Sequence, residues 1–201
     1  MKIEIKDSRL KNIILGAEDV FFEKGFSKTS ISDICKSVNC SRTTLYSHFE
    51  NKENIYLAVI NHSFKVFLDF FINRKLSGKD GLERLLETAK GYFDFSKKFP
   101  KNYTMILDFY TLLKGINNEV LQSDSDILIS ECTFFPEVKQ KAEIPFTFLV
   151  AIIEEGQKDQ SINAQIPADV LFLNVWAYLI GSSHLYHFSK SGKDANIFDV
   201  K

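Results

Sequence analysis

The sequence predicts an all-α protein of about nine helices, with an N-terminal three-helix head and a larger C-terminal helical body. Three observations carry this expectation. Apolar residues recur at steps of three and four along most of the chain, no apolar–polar alternation lasts long enough to make a strand, and capping residues, glycines and prolines stand where the apolar stripes end. A chain of 201 residues that is 45% hydrophobic has enough apolar surface for one small domain and one larger one.

The first stripe, Leu10, Ile13, Ile14, Ala17, Val20 and Phe21, predicts a helix ended by Gly25. Ser30 is placed to cap a second helix from Ile31, and Asp33, three residues on, completes a capping box. Within that helix Ile31, Ile34, Cys35 and Val38 share a face, which leaves Ser32, Lys36 and Ser37 outward and free for phosphates. Asn39 suits the left-handed residue that closes such a helix, and Ser41 can cap the next after a very short turn. In this third helix Leu45 and Phe49 point inward, so Arg42, Thr43, Thr44, Tyr46 and His48 form the outward surface. Asn51 caps a further helix that begins at Lys52; Ile55, Val59, Ile60, Phe64, Phe67 and Phe71 continue its period to about Lys75, as one rod.

The body follows the Ser77–Gly81 break. Leu82, Leu85, Leu86, Ala89 and Phe93 mark a helix ended by Pro100, and another spans Tyr103 to Lys114 and stops at Gly115. A weaker helical segment covers about Asn118 to Glu131, interrupted at Cys132–Pro136. From there a helix extends to Asp159 with a kink or restart at Pro145, and the last helix runs from about Ala168 to Ser189 behind Pro167.

Two short, steeply crossed helices with hydrogen-bonding side chains at the start of the second are the grammar of a helix-turn-helix DNA reader. Arg42 fits a bidentate contact with guanine, a Thr methyl can touch thymine, and Thr or Tyr hydroxyls can reach phosphate. Lys52, at a capped helix start, offers an ammonium to a phosphate. The whole-chain net charge of −1 does not announce a nucleic-acid binder. Locally, residues 24–52 carry Lys24, Lys28, Lys36, Arg42 and Lys52 against Asp33 and Glu50, five minus two, or +3.

The order Gly25-Phe26, Thr29-Ser30, Asp33-Ile34, Ser41, Thr44-Leu45-Tyr46, His48-Phe49, Asn51-Lys52-Glu53, preceded by Ile13-Ile14, Ala17 and Phe21-Phe22, resembles the N-terminal domain of the TetR family of bacterial transcriptional regulators. The resemblance covers roughly residues 8 to 65. Cys35, Asn39 and Thr43 depart from the commonest family pattern, and Thr43 with Arg42 leaves any borrowed operator sequence open. The resemblance implies a helix-turn-helix domain over residues 1–50, with the motif at about 30–49, and an effector-binding and dimerisation domain over 51–201. It implies contacts to double-stranded operator DNA from Thr29, Ser30, Ser41, Arg42, Thr43, Thr44, Tyr46, His48 and Lys52.

In the body, Phe93, Tyr103, Phe109, Tyr110, Trp176 and His184 read equally as plain core or as the lining of a pocket for an unknown small-molecule effector, the pocket being what the resemblance implies. Wide apolar faces on the last two helices, with Phe146, Leu149, Val150 and Ile153 on one and Leu173, Ala177, Ile180 and Gly181 on the other, exceed what one body covers. The family pairs these helices with a second chain's in a homodimer, which predicts a palindromic operator. The expected function is therefore a ligand-responsive regulator, a repressor, whose effector shifts the spacing of two reading heads through the rod from Asn51. The alternative is a helical binding module that no longer reads DNA.

Other readings fall away on residue types. Cys35, Cys40 and His48 have a superficial ligand look, but both cysteines fall on the inward side of the motif, so no metal is expected. Glu154 and Glu155 diverge around a helix, and no nucleophile triad or phosphate loop is present, so neither an enzyme nor a cofactor is expected. Three cysteines without framework spacing suit a reducing cytoplasm, the N-terminus has no secretory pattern, and no stretch is expected to span a membrane.

Overall fold

The computed structural model of the chain describes residues 8–74, 76–117, 124–132 and 134–191, excepting the side chains of 114–117, 124–126 and 187–191. The described residues form nine helices and no strand: α1 Ser8–Lys24, α2 Ile31–Ser37, α3 Arg42–Tyr46, α4 Lys52–Ile72, α5 Gly81–Lys98, α6 Pro100–Asn117, α7 Asp124–Glu131, α8 Phe135–Lys158 and α9 Ala168–Ser191. Three boundaries differ from expectation. α3 ends at Tyr46, so buried Phe49 lies in the turn after it, its amide donating to the Leu45 carbonyl at 3.1 Å. Pro100 opens α6, where its missing N–H costs nothing, and Gly115 is carried within that helix because a glycine costs only about 1 kcal/mol there. Residues 118–123, the expected start of the weak segment, and Lys75, the expected end of the rod, lie outside the described residues.

By contacts the chain divides into two compact units, Met1–Phe70 with Phe99–Glu143, and Phe71–Lys98 with Ile144–Lys201. The division at residues 50 and 51 expected from the sequence is not where compactness cuts. In the first unit α4 is buried on every face from Glu53 to Asn61, which accounts for its composition: it alone among the described helices is long and apolar enough to cross a membrane, a length and composition that a buried core helix shares. Ile55, Leu57, Val59, Ile60 and Phe64 are at most 0% exposed. Phe64 meets Phe109 and Tyr110 edge-on, each at 5.9 Å between ring centres.

A buried polar cluster ties α1, α4 and α6 together. The Glu18 carboxylate accepts from the Asn102 amide and from the Ser63 hydroxyl at 3.5 Å, and Asn102 also donates to Ser63 Oγ at 3.2 Å. Burial, and then the neighbouring Asp19 charge, push the Glu18 carboxyl up to about 7 against the opposing pull of Lys101 and Ser63.

The second unit is α5, the later part of α8, and α9, around Leu85, Leu149, Ile152, Ile153 and Phe172. α5 starts hard against α8: a Cβ on Gly81 would lie 2.2 Å from the Gly156 Cα, so the crossing needs a glycine. Its first amides are held from the turn after α8, Gly81 donating to Asp159 Oδ2 at 2.8 Å and Leu82 to Ser161 Oγ at 3.0 Å.

Candidate nucleic-acid interface

The head is assembled by local caps and one apolar seam. Ser30 accepts the Asp33 amide at 3.2 Å, and the Asp33 carboxylate accepts the Ser30 amide at 3.0 Å, a closed capping box. Lys24, 2.7 Å away, and then the Ser30 amide and hydroxyl hold the Asp33 carboxyl well below the usual carboxylate range. At the other end of α2, Asn39 is left-handed at φ 49. Ser41 caps α3 by accepting the Thr44 amide at 3.1 Å, and Asn51 caps α4 by accepting the Asn54 amide at 2.8 Å. Ile34 of α2 and Leu45 of α3 are fully buried, as α2 packs on both α1 and α3, and Ile13, Ile14 and Phe21 of α1 are buried with them. α1 and α2 approach so closely that a Cβ on Gly16 would meet Val38 Cγ1 at 2.1 Å, and Ser37 donates to the Gly16 carbonyl at 3.2 Å.

This assembly places the expected contact residues unequally. Arg42, Thr43 and His48 are exposed, Tyr46 is 50% exposed, and Thr44 is half-buried beside its cap. Ser30 and Ser41 sit on the same exposed rim but spend their hydroxyls on caps. Arg42 Nη2 donates to Ser32 Oγ at 2.5 Å, so the guanidinium rests against α2.

Thr29 and Lys52 do not stand free. Thr29 is 3% exposed and donates to the Gly25 carbonyl at 2.7 Å, so its side chain fastens the loop after α1 rather than facing a duplex. Lys52 donates to the Phe26 carbonyl at 3.1 Å and the Thr29 carbonyl at 3.2 Å, with its ammonium 4.2 Å from the Phe26 ring centre. Two of its three protons are thus spent latching the loop, whose Phe26 packs on Tyr56 at 4.7 Å. Ser37 likewise turns its hydroxyl to α1 rather than outward. Ser32 becomes a neighbour of the readout surface through Arg42; the signal available in the sequence was its place on the outward face of α2.

The body residues also separate. Tyr103, Phe109 and Tyr110 lie in the first compact unit and Phe93, Trp176 and His184 in the second, so neither unit gathers all six. Phe109 is fully buried against Phe64 and Phe135, Tyr110 donates to the Ala142 carbonyl at 2.9 Å, and His184 is exposed. Of the expected dimer face, Leu149 and Ile153 are corrected: both are buried in their unit's own core. Phe146, Leu173, Ala177 and Gly181 are exposed, and Val150 and Ile180 half-buried. Val170, Tyr178 and Leu185 extend the exposed stripe along α9, at 42%, 73% and 52% exposure. Among the described residues no cluster of three or more His, Cys, Asp and Glu side chains could hold a metal.

The geometry defines an all-helical protein with an N-terminal helix-turn-helix domain. The family described as bacterial regulatory proteins, tetR family, matches residues 13–59, and the N-terminal domain of this chain belongs to it. The biofilm operon icaADBC HTH-type negative transcriptional regulator IcaR of Staphylococcus epidermidis is 36% identical over 96 residues, 47% of this chain and 51% of that protein. The chain thus spans about half the length of that curated relative. Across nearly the whole chain the fold is shared with the fatty acid degradation regulator FadR of Bacillus halodurans, at 17% identity and a TM-score of 0.70, covering 96% of this chain and 90% of that one. It is shared also with FadR of Bacillus subtilis, solved in complex with stearoyl-CoA, at 16% identity and a TM-score of 0.66, covering 92% and 90%.

Proposed function

We propose that the protein is a ligand-responsive transcriptional regulator that binds a palindromic operator as a homodimer, acts in the cytoplasm as a repressor, and is released by a small-molecule effector. The observation that carries this reading is the rim of α3: Arg42, Thr43 and Tyr46 are exposed while Leu45 between them is the fully buried anchor. A recognition helix needs this division between base-reaching side chains and a fixed seat. Arg42 reads a base edge, Thr43 and Thr44 contribute methyl and hydroxyl contacts, and Tyr46 and His48 meet phosphate. Lys52 acts first as a latch that positions the loop before α2.

Dimerisation is supported by the exposed apolar stripe on α9, with Phe146 and Phe148 exposed on α8. Repression is the sign carried in the name of the staphylococcal relative. An acyl thioester such as the stearoyl-CoA seen with the Bacillus subtilis FadR suits a body rich in phenylalanine, 19 in the chain. Such an effector acts only through the difference in its affinity for the DNA-bound and DNA-free arrangements.

The test is selection from random duplexes by the purified protein, followed by titration of acyl-CoAs of increasing chain length into the complex. The reading expects enrichment of an inverted repeat and its release by one class of acyl-CoA. Failure to enrich any duplex would favour the helical binding module that no longer reads DNA.

A further inference from the structure

The turn between α2 and α3 holds two thiols that DNA reading does not use. Cys35 lies in the last turn of α2, whose C-cap is Val38, and Cys40 directly precedes the Ser41 cap of α3. Beyond left-handed Asn39 the Cys40 amide donates back to the Cys35 carbonyl at 3.0 Å, and the Asn39 amide reaches the Lys36 carbonyl at 3.4 Å. This pair of bonds is the Schellman closure, which brings the residue after the left-handed position against the residue five before it. The backbone, rather than a choice of rotamer, therefore brings the two side chains together. A disulfide needs Cα atoms roughly 4.4–6.8 Å apart, a separation that such a closed turn supplies. The two thiols are near enough to act on one another: burial and then the neighbouring Cys40 raise the Cys35 thiol, against the opposing pull of the Arg42 cation. Both are free cysteines, Cys35 buried and Cys40 partly exposed.

We propose that Cys35 and Cys40 form a reversible disulfide when the protein meets a peroxide, making the turn that leads into the recognition helix an oxidation site. The Cys40 thiolate, the more accessible sulfur, attacks one peroxide oxygen; the O–O bond breaks, the other oxygen leaves and takes up a proton, and Cys40 becomes a sulfenic acid. The Cys35 sulfur then attacks the Cys40 sulfur, the S–O bond breaks, and water leaves with the Cys35 proton. Two thiols and one hydrogen peroxide thus give one disulfide and two waters. Closing the bond draws Cys35 from its seat at 8% exposure and pulls on the residue before the Ser41 cap, so the start of α3 shifts with Arg42. So short a ring is strained and readily reduced, as a reversible switch requires. The third thiol, Cys132, is buried, donates to the Leu128 carbonyl at 3.2 Å and is pushed up to about 11, chiefly by burial, which makes it an internal control.

The test treats the reduced full-length protein with hydrogen peroxide, blocks remaining thiols and maps tryptic peptides by mass spectrometry. The expected product joins Thr29–Lys36 to Ser37–Arg42, two hydrogens lighter than the separate peptides and parted by dithiothreitol. Cys40 is lost about tenfold faster than Cys132, as its exposure requires. Cys35→Ala should leave a dimedone-trappable sulfenic acid on Cys40, and Cys40→Ser should leave Cys35 reduced. Over-oxidation of Cys40 without the cross-link, a cross-link to Cys132, or no reaction ahead of Cys132 would each overturn the proposal. The consequence for DNA rests on the proposed function and is read separately: oxidation should lower operator affinity about tenfold in the parent and not in Cys40→Ser. Unchanged affinity of the cross-linked protein would overturn that consequence alone. Failure of the reduced protein to bind any duplex would count against the proposed function, and the peptide map would still decide the disulfide.

Discussion

The head and the last two helices present opposite surfaces. In the head, exposed side chains are mostly polar and each short helix is closed by its own caps, Ser30 with Asp33, Ser41 with Thr44 and Asn51 with Asn54. Along α9 the side chains Val170, Leu173, Tyr178 and Leu185 are apolar or aromatic and exposed among the described residues. A surface of the first kind is complete alone and waits for a charged, hydrogen-bonding partner. A surface of the second kind is unfinished, because exposed apolar area costs roughly 25 cal/mol per Å² until something covers it. The proposed function rests on this contrast, with DNA for one surface and a second copy of the chain for the other.

The largest expected effect breaks the second surface. Leu173→Glu places a charge on the exposed stripe, and sedimentation should then show a species of 23.1 kDa, where the parent shows twice that mass. A monomeric parent would remove the assignment of α9 to a partner chain.

Next, Gly16→Ala tests whether the head is as tightly seated as its packing implies. The added methyl meets Val38 Cγ1 at 2.1 Å, an overpacking that costs about 1–3 kcal/mol. Thermal melting should show this loss, and Val38→Ala in the same chain should restore most of it.

The head was the more legible region because its determinants are local. A cap and its partner lie three residues apart, and the left-handed turn announces itself as Asn39, so spacing alone located α2, α3 and the start of α4. What escaped were contacts between residues distant in sequence. Lys52 is held by carbonyls 23 and 26 residues away, and Thr29 is buried by the loop those bonds close. In the body the apolar stripes of α8 and α9 were visible, but not which side of each faced inward. Both sides of those helices are apolar, so periodicity could not tell Leu149 and Ile153, which are core, from Phe146 and Leu173, which are not. Glu18 escaped for the same reason: its partners Ser63 and Asn102 stand 45 and 84 residues away.

That buried carboxyl gives a smaller effect. Its folded value, about 7, lies above its ordinary value of 4.5, so the folded state holds the proton more tightly than the unfolded chain. Its contribution is fully present below 4.5 and is lost as pH rises through about 7. Glu18→Gln keeps an acceptor for Asn102 and Ser63 and should stabilise the protein by about 1–2 kcal/mol at pH 8, solvent screening taking part of the full linkage value. At pH 4.5 parent and variant should melt alike.

The central claim is that α3 reads sequence while Lys52 holds the head in shape. Its most direct test measures the affinity of parent, Arg42→Ala and Lys52→Ala for the selected operator and for a scrambled duplex, beside each protein's melting temperature. Arg42→Ala should melt like the parent and lose about 1–3 kcal/mol on the operator alone, collapsing its preference for it. Lys52→Ala should melt lower, because it leaves the Phe26 and Thr29 carbonyls unpaired, and should keep the preference. An Arg42→Ala protein that still discriminates operator from scrambled duplex as the parent does would contradict the account.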